Sequence, residues 1–241
     1  MSAVPAQLSD RGHRVRLVYA GEAPIEVRRE GKTMVNGAKM LIIGAGGGIG
    51  RAVRAEAERR GWSCVGTSRH EGESEQILDC ADRDGLEPTL MRIFRDEGPF
   101  AAVVYCAGIC PVKPLALLDA AALAEVQLVN CDAFVLSVKH FSRPGAYAKS
   151  GAVALAVSSV SATEGWAGGT AYCASKGALS AACRALDREL ATKKIRVKAI
   201  EPNHVLTDMF RKGAGRMGVP ESAARSPESL AQEILEMIVA L

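Results

Sequence analysis

Four short apolar runs constrain this chain more than any other feature: residues 40–43 (Met-Leu-Ile-Ile), 63–67, 101–105 and 152–158. Each is continuous rather than alternating, and each has the length of a strand rather than of a helix. A strand that is apolar on both sides needs cover on both sides, which a parallel sheet between two helix layers supplies. The segments between the runs have helix length, at 49–60, 119–129, 134–141 and 172–191. Strands alternating with helices predict an α/β fold, a single doubly wound domain with a central parallel sheet of about six strands and helices on both faces. A chain of 241 residues, 48% hydrophobic and 24% charged, has the size and composition for one such domain.

Residues 1–38 read differently. Val15-Arg16-Leu17-Val18-Tyr19 and Ile25-Glu26-Val27-Arg28 alternate with period two, so this extension is expected to form short half-buried strands, with Glu30-Gly31-Lys32 turning a hairpin between 25–29 and 33–35. The domain proper is expected over 39–241, with a short lid at about 207–227 and a helix over 227–241. No strand follows that helix, so the far edge of the sheet is expected to be bare, and the extension is a candidate to cover it or to pair with another subunit. The formal net charge of +3, without a basic arm, excludes a nucleic-acid partner from the reading. The first 20 residues carry charge where a secretory signal is apolar, and the run 152–157 is far shorter than the ~20 residues of a spanning helix. A cytoplasmic protein without a membrane partner is expected. The seven cysteines contain no Cys-x-x-Cys pair, so they read as reduced, mostly core thiols, and no metal site is expected.

Three features carry chemistry. Directly after the first run comes Gly44-Ala45-Gly46-Gly47-Gly48-Ile49-Gly50, opening a helix. Glycines at a strand-to-helix turn let the backbone approach a pyrophosphate, and the first N–H groups of the helix face the anion. Gly-x-G-x-x-Gly fits no register here, whereas Gly-x-x-x-Gly-x-Gly fits at Gly44, Gly48 and Gly50; taken alone, the turn is also compatible with a plain structural connection. Tyr172 and Lys176, four apart, share one face of a long helix, where the ammonium favours phenolate and lowers a pKa ordinarily near 10. Ser159 stands just past the run 152–157, at the carboxyl end of a parallel strand, placed to donate to an oxygen that gains charge. Each has a bland reading of its own: a chance helix pair for Tyr172 and Lys176, a polar loop for Ser158, Ser159 and Ser161.

Together these residues resemble the short-chain dehydrogenase/reductase family, a family of Rossmann-fold oxidoreductases, over residues 39–209. Cys106-Ala107-Gly108 falls where the family carries Asn-Ala-Gly, Asn130 matches its helix asparagine, and Pro202 through Thr207-Asp208-Met209 matches its Pro-Gly and threonine segment. The resemblance implies a catalytic set of Asn130, Ser159, Tyr172 and Lys176. Tyr172 passes a proton to a substrate carbonyl oxygen, Ser159 holds that oxygen, Lys176 lowers the Tyr172 pKa and binds the nicotinamide ribose, and Asn130 positions a relaying water. It implies cofactor contacts at Gly44, Gly47, Gly48, Ile49, Gly50, Ser68, Arg69, Asp79, Cys80, Cys106, Ala107, Gly108, Tyr172, Lys176, Pro202, Val205 and Thr207. Arg69 stands where an NAD-selective site presents an acid, so NADP(H) is preferred, with NAD(H) an alternative. The chain departs from the pattern in three places: Ile43 replaces a threonine, Tyr105-Cys106 replaces an asparagine pair that braces the sheet, and Asn203 replaces a glycine, a substitution that a positive φ tolerates.

The expected activity is NADPH-dependent reduction of a ketone or 3-oxoacyl-type carbonyl, or the reverse oxidation, by a homodimer or homotetramer. The pocket is expected from 110–115, the 162–169 loop with Trp166, and 205–220, where Arg211, Lys212 and Arg216 suit a carrier-bound or anionic substrate; a compact ketone or a sugar derivative is the other class. The competing reading is a non-catalytic relative that binds a nucleotide or a partner as a scaffold. The presence of Asn130, Ser159, Tyr172 and Lys176 together favours the enzyme. A serine hydrolase is set aside for want of a Gly-x-Ser-x-Gly turn.

Overall fold

The computed structural model describes residues 15–16, 26–27, 37–217 and 219–241. Six parallel strands form the sheet: β1 (Lys39–Ile43), β2 (Ser63–Ser68), β3 (Gln76–Ile77), β4 (Ala102–Tyr105), β5 (Ala152–Val157) and β6 (Ile195–Ile200). Their order is β3-β2-β1-β4-β5-β6, so the chain steps outward from β1 in one direction and then in the other. Between β1 and β4 the direction reverses, and a crevice opens there at the carboxyl ends of the strands. The register aligns those ends: Ile43 lies opposite Thr67 and Tyr105, Tyr105 opposite Ala156, and Val157 opposite Ile200. The glycine turn and the segments that follow β2, β4, β5 and β6 therefore all leave the sheet along one rim.

The double cover follows from alternation within β1. Leu41 and Ile43 join Val103, Tyr105, Ala154 and Val197 on the face packed by α2 (Leu86–Glu97), α4 (Ala133–Phe141) and α5 (Thr170–Glu189). Met40 and Ile42 join Ala102, Val104 and Leu155 on the other face, under α1 (Gly48–Arg59) and α6 (Pro227–Ala240). All four of those β1 residues are fully buried, as the continuous apolar run requires. A third helix, α3 (Ala120–Gln127), runs into α4 through a π-turn, Leu128–Asp132. The run Ala120–Phe141 is long and apolar enough to cross a membrane, but half of it is buried inside this fold against α5 and α2.

Several expectations change in detail. The bare edge is β6, whose one strand partner among the described residues is β5. It is blunted by Asp187 of α5, which accepts from the outward Val197 N–H at 2.8 Å and holds Arg196 and Lys198 at 3.0 and 2.7 Å. Asn203 does not take a positive φ; among the described non-glycine residues only Lys194 does, at 57°. The Asn203 carboxamide instead accepts from the His204 N–H. In the extension, Val15–Arg16 pairs antiparallel with Glu26–Val27, while the hairpin to 33–35 lies outside the described residues. Helix α2 goes beyond the expected elements. Its apolar spacing, Leu86, Leu90, Ile93, Phe94, is helical, and Pro88 is tolerated because it falls in the first turn.

Candidate active site

The glycine turn owes its shape to β2. Gly44 turns the chain at φ +85°, its N–H reaching both the carbonyl and the hydroxyl oxygen of Thr67, and Ala45 N–H joins the same carbonyl at 2.8 Å. Thr67, one strand over, thus anchors the turn, while Ile43 lies fully buried in the core. Gly50 lies so close beneath the turn that a Cβ there would come within 2.2 Å of the Gly44 oxygen. The N-cap residue of α1 is Gly47, with no side chain to occupy the helix end, so the N–H groups of Gly48, Ile49 and Gly50 open toward the crevice. An uncapped helix start beside a backbone-lined turn fits a pyrophosphate. Thr207 closes the other side, within 3.0 Å of where a Gly48 Cβ would stand. A cleft of about 410 Å³ lined by Gly48, Arg51, Thr207, Asp208 and Arg211 opens here, apart from Asn130, Ser159, Tyr172 and Lys176.

Tyr172 and Lys176 leave the first turns of α5 on one side, with the Lys176 Nζ 5.6 Å from the phenol ring centre. The ammonium is buried and donates to the Val157 carbonyl at 2.7 Å, which pins α5 to the end of β5 two residues before Ser159. Burial pushes the Lys176 pKa down from 10.5 to about 8. Burial raises Tyr172 above its ordinary 10, and the adjacent Ser159 hydroxyl pulls it back only in part. Burial rather than Lys176 therefore governs Tyr172, against the expected depression, and the phenol stays protonated. Ser159 also accepts from the Ser161 N–H at 3.1 Å, which fixes its rotamer as the loop leaves the strand. Its neighbour Ser158 points the other way, into a buried chain through Ser180 to Glu201.

Asn130 is fully buried inside the π-turn. Its carboxamide donates to the Ile109 carbonyl and to Ser175 Oγ, both at 2.9 Å, and accepts from the Ile109 N–H at 2.8 Å. The side chain therefore clamps the loop that follows Gly108 to α5 rather than meeting Lys176. A Cβ on Gly108 would lie 3.3 Å from Asn130 Oδ1 and 3.7 Å from the Lys176 Nζ, so only a glycine separates the two comfortably. Cys106 is half-buried and bonds through its N–H to Ile43, with Ala107 packed against Gly44. Cys110 and Cys173 flank Tyr172, and burial pushes the Cys110 thiol up to about 11. Of the seven cysteines, Cys80, Cys131 and Cys183 are buried and the other four are partly exposed, fewer core thiols than expected.

The remaining cofactor candidates sort by position. Ser68 is buried at the end of β2, Arg69 is exposed beside it, and Pro202, Val205 and Thr207 line the rim after β6. Asp79 caps its own turn through the Ala81 N–H at 2.9 Å. The Cys80 thiol turns into the core toward Tyr105. Tyr105, outside the expected site set, and Trp166 of the expected pocket loop both shape the site. Tyr105, fully buried, donates to the Val129 carbonyl at 2.5 Å and so braces the π-turn that carries Asn130. Trp166 packs over Gly169, 6.4 Å from the Tyr172 ring, with its N–H on Ser161 Oγ.

Comparisons with known proteins agree with this geometry. Residues 38–216 match the short chain dehydrogenase family. The chain is 29% identical to L-xylulose reductase of Mesocricetus auratus over 187 residues, 73% of this chain and 75% of that protein. It is 26% identical to a 3-oxoacyl-acyl-carrier-protein reductase of Haemophilus influenzae, covering 80% of this chain and 90% of that one. It is 30% identical to D-erythrulose reductase of Gallus gallus, covering 73% and 74%. Among solved structures, a putative NAD(P) dependent gluconate 5-dehydrogenase from Beutenbergia cavernae, with NADP bound, superposes with a TM-score of 0.74 at 23% identity, covering 83% of this chain and 89% of that one, and so shares the fold. With the glycine turn, the Ser159, Tyr172 and Lys176 arrangement and a family match across most of its length, this chain belongs to the short-chain dehydrogenases, a family of oxidoreductases.

Proposed function

We propose that this chain reduces a carbonyl carbon to an alcohol with NADPH, and catalyses the reverse oxidation under the opposite supply of substrates. The observation that carries the reading is the convergence of Ser159 and a protonated Tyr172 at the strand rim, with Lys176 behind them and an uncapped helix start across the crevice. The three relatives named above are reductases of xylulose, erythrulose and a 3-oxoacyl group, each a carbonyl compound.

The residues divide the work. The open N–H groups of Gly48, Ile49 and Gly50 hold the pyrophosphate, Thr207 closes over them, and Arg69 faces the 2′-phosphate. The dinucleotide, when bound, supplies hydride to the carbonyl carbon. Ser159 donates to the carbonyl oxygen and polarises it. Tyr172 transfers its proton to that oxygen as charge develops, so that ketone, NADPH and a proton become alcohol and NADP. Lys176 then stabilises the phenolate with its ammonium. Asn130 positions both walls by clamping Ile109 to Ser175, and the proton lost by Tyr172 is restored from solvent past Lys176.

Trp166, Ile109 and Cys110 border the substrate side of Tyr172 and favour a partly apolar group there. Arg211 is held by Asp208 and Glu221 at 3.4 and 3.3 Å, so among the described lid side chains Lys212 is the cation that would meet an acidic substrate. We assign the chain to the cytoplasm as a homodimer or homotetramer, with residues 1–38 an extension to the domain at 39–241. Unchanged oligomeric mass and solubility after deletion of residues 1–36 would count against a role for the extension in assembly.

The test is a calorimetric titration with NADPH and with NADH, followed by a screen of sugar ketones and 3-oxoacyl thioesters. Tighter binding of NADPH, weakened by Arg69→Ala, and turnover abolished by Tyr172→Phe with binding intact, are the expected results. Binding of neither nucleotide would return the chain to the scaffold reading.

A further inference from the structure

The loop after β2 folds back onto the glycine turn. Ser68 ends the strand by donating to the His70 carbonyl at 2.6 Å, which bends the chain, and Glu75 fastens the far end of the loop. Glu75 accepts from the Gly66 N–H at 2.8 Å and is gripped by both terminal nitrogens of Arg54 on α1. Between these two anchors Glu73 reaches inward. A methyl group added to Gly46 would come within 2.7 Å of Glu73 Oε2 and 3.4 Å of Ser68 Cβ. The carboxylate therefore stands between the glycine turn and the end of β2, although the residue as a whole is exposed.

In a doubly wound fold this corner receives the ribose of the adenosine half of a dinucleotide. A carboxylate there accepts from a ribose hydroxyl and repels a phosphate dianion; a guanidinium does the reverse. The corner of this chain holds both: Arg69, exposed at the end of β2, and Glu73, four residues later, brought back by the fold.

We propose that Glu73 is a specificity-determining residue that opposes Arg69, accepting from the 2′-hydroxyl of NADH in the position seen here and giving way to solvent when a 2′-phosphate enters. The inference rests on the dinucleotide reading above and adds a residue that lowers the discrimination Arg69 alone would give. A short exposed loop anchored at both ends permits that rotation without disturbing the strand.

The experiment is calorimetric titration of the full chain with NADPH and NADH, on the wild type, Glu73→Gln, Glu73→Ser and Arg69→Gln. Both Glu73 variants are expected to tighten NADPH about tenfold while NADH is unchanged or up to about threefold weaker. Arg69→Gln is expected to shift NADPH the opposite way. The gain in Glu73→Gln should shrink between roughly 0.05 M and 0.5 M salt, as a charge effect at an exposed site does. Equal changes for both nucleotides, or none, in both Glu73 variants would overturn the assignment while leaving the dinucleotide reading intact. A wild-type protein that binds neither nucleotide would overturn both.

Discussion

The Tyr105 hydroxyl donates to the Val129 carbonyl, tying the last residue of β4 to the π-turn that holds Asn130. Tyr105 is fully buried and also packs edge-on against Phe134 at 5.6 Å, so the ring is held independently of its hydroxyl. Tyr105→Phe keeps that packing and leaves a buried carbonyl without its partner, a change that costs about 1–2 kcal/mol. Urea unfolding should register this loss, and kcat should fall several-fold through displacement of Asn130 while the NADPH affinity holds.

Asn130→Ala is expected to be more damaging. It strips the Ile109 N–H, the Ile109 carbonyl and Ser175 Oγ of one shared partner in a fully buried setting, at a cost of about 3 kcal/mol. Thermal unfolding should shift down markedly, and residual folded enzyme should turn over at least about tenfold more slowly, since Gly108 and α5 are no longer held at fixed spacing. Wild-type stability in Asn130→Ala would refute the clamp.

Lys176 sets the pH dependence. Burial lowers its pKa to about 8 while Tyr172 lies above 10, so lysine is the catalytic group that titrates first as pH rises. The kcat/KM for reduction should be level below about pH 8 and decline above it, as the ammonium that supports the phenolate is lost. Lys176→Arg should remove that decline. The sign for stability is opposite: between about 8 and 10.5 the folded state binds fewer protons at this residue than the unfolded state, so folding gains from rising pH. Stability measured against pH in the wild type and in Lys176→Met separates the two effects.

Gly50→Ala tests the turn. Its Cβ would lie 2.2 Å from the Gly44 oxygen and 2.8 Å from the Ala45 Cα, both backbone atoms that cannot rotate away. The turn must open, at a cost of about 2–3 kcal/mol, and NADPH binding should be lost in calorimetry while circular dichroism still reports a folded α/β protein.

The central sheet was legible because strands β1, β4 and β5 are unbroken apolar runs, and such runs admit few alternatives. The grouping of the candidate site was legible because Tyr172 and Lys176 lie on one helix and Ser159 ends a strand. What escaped depends on contacts across the fold. Helix α2 was hidden by Pro88, which reads as a breaker until its place in the first turn is known. The loss of the asparagine pair at Tyr105-Cys106 was visible, but its replacement by a phenol reaching Val129 required the position of the π-turn. Thr67 anchors Gly44 from a neighbouring strand, and Glu73 returns to Gly46 through a loop; neither relation has a local sequence signal.

Asp187 has a consequence for how copies of this chain meet. Its carboxylate occupies the outward Val197 N–H at mid-strand in β6 and carries two cations with it. A strand arriving from another molecule would have to displace that carboxylate and strand two positive charges before forming its first ladder bond. The sheet is thus electrostatically terminated where its hydrogen bonding is unfinished, which turns growth of the assembly away from the edge and toward the helical faces.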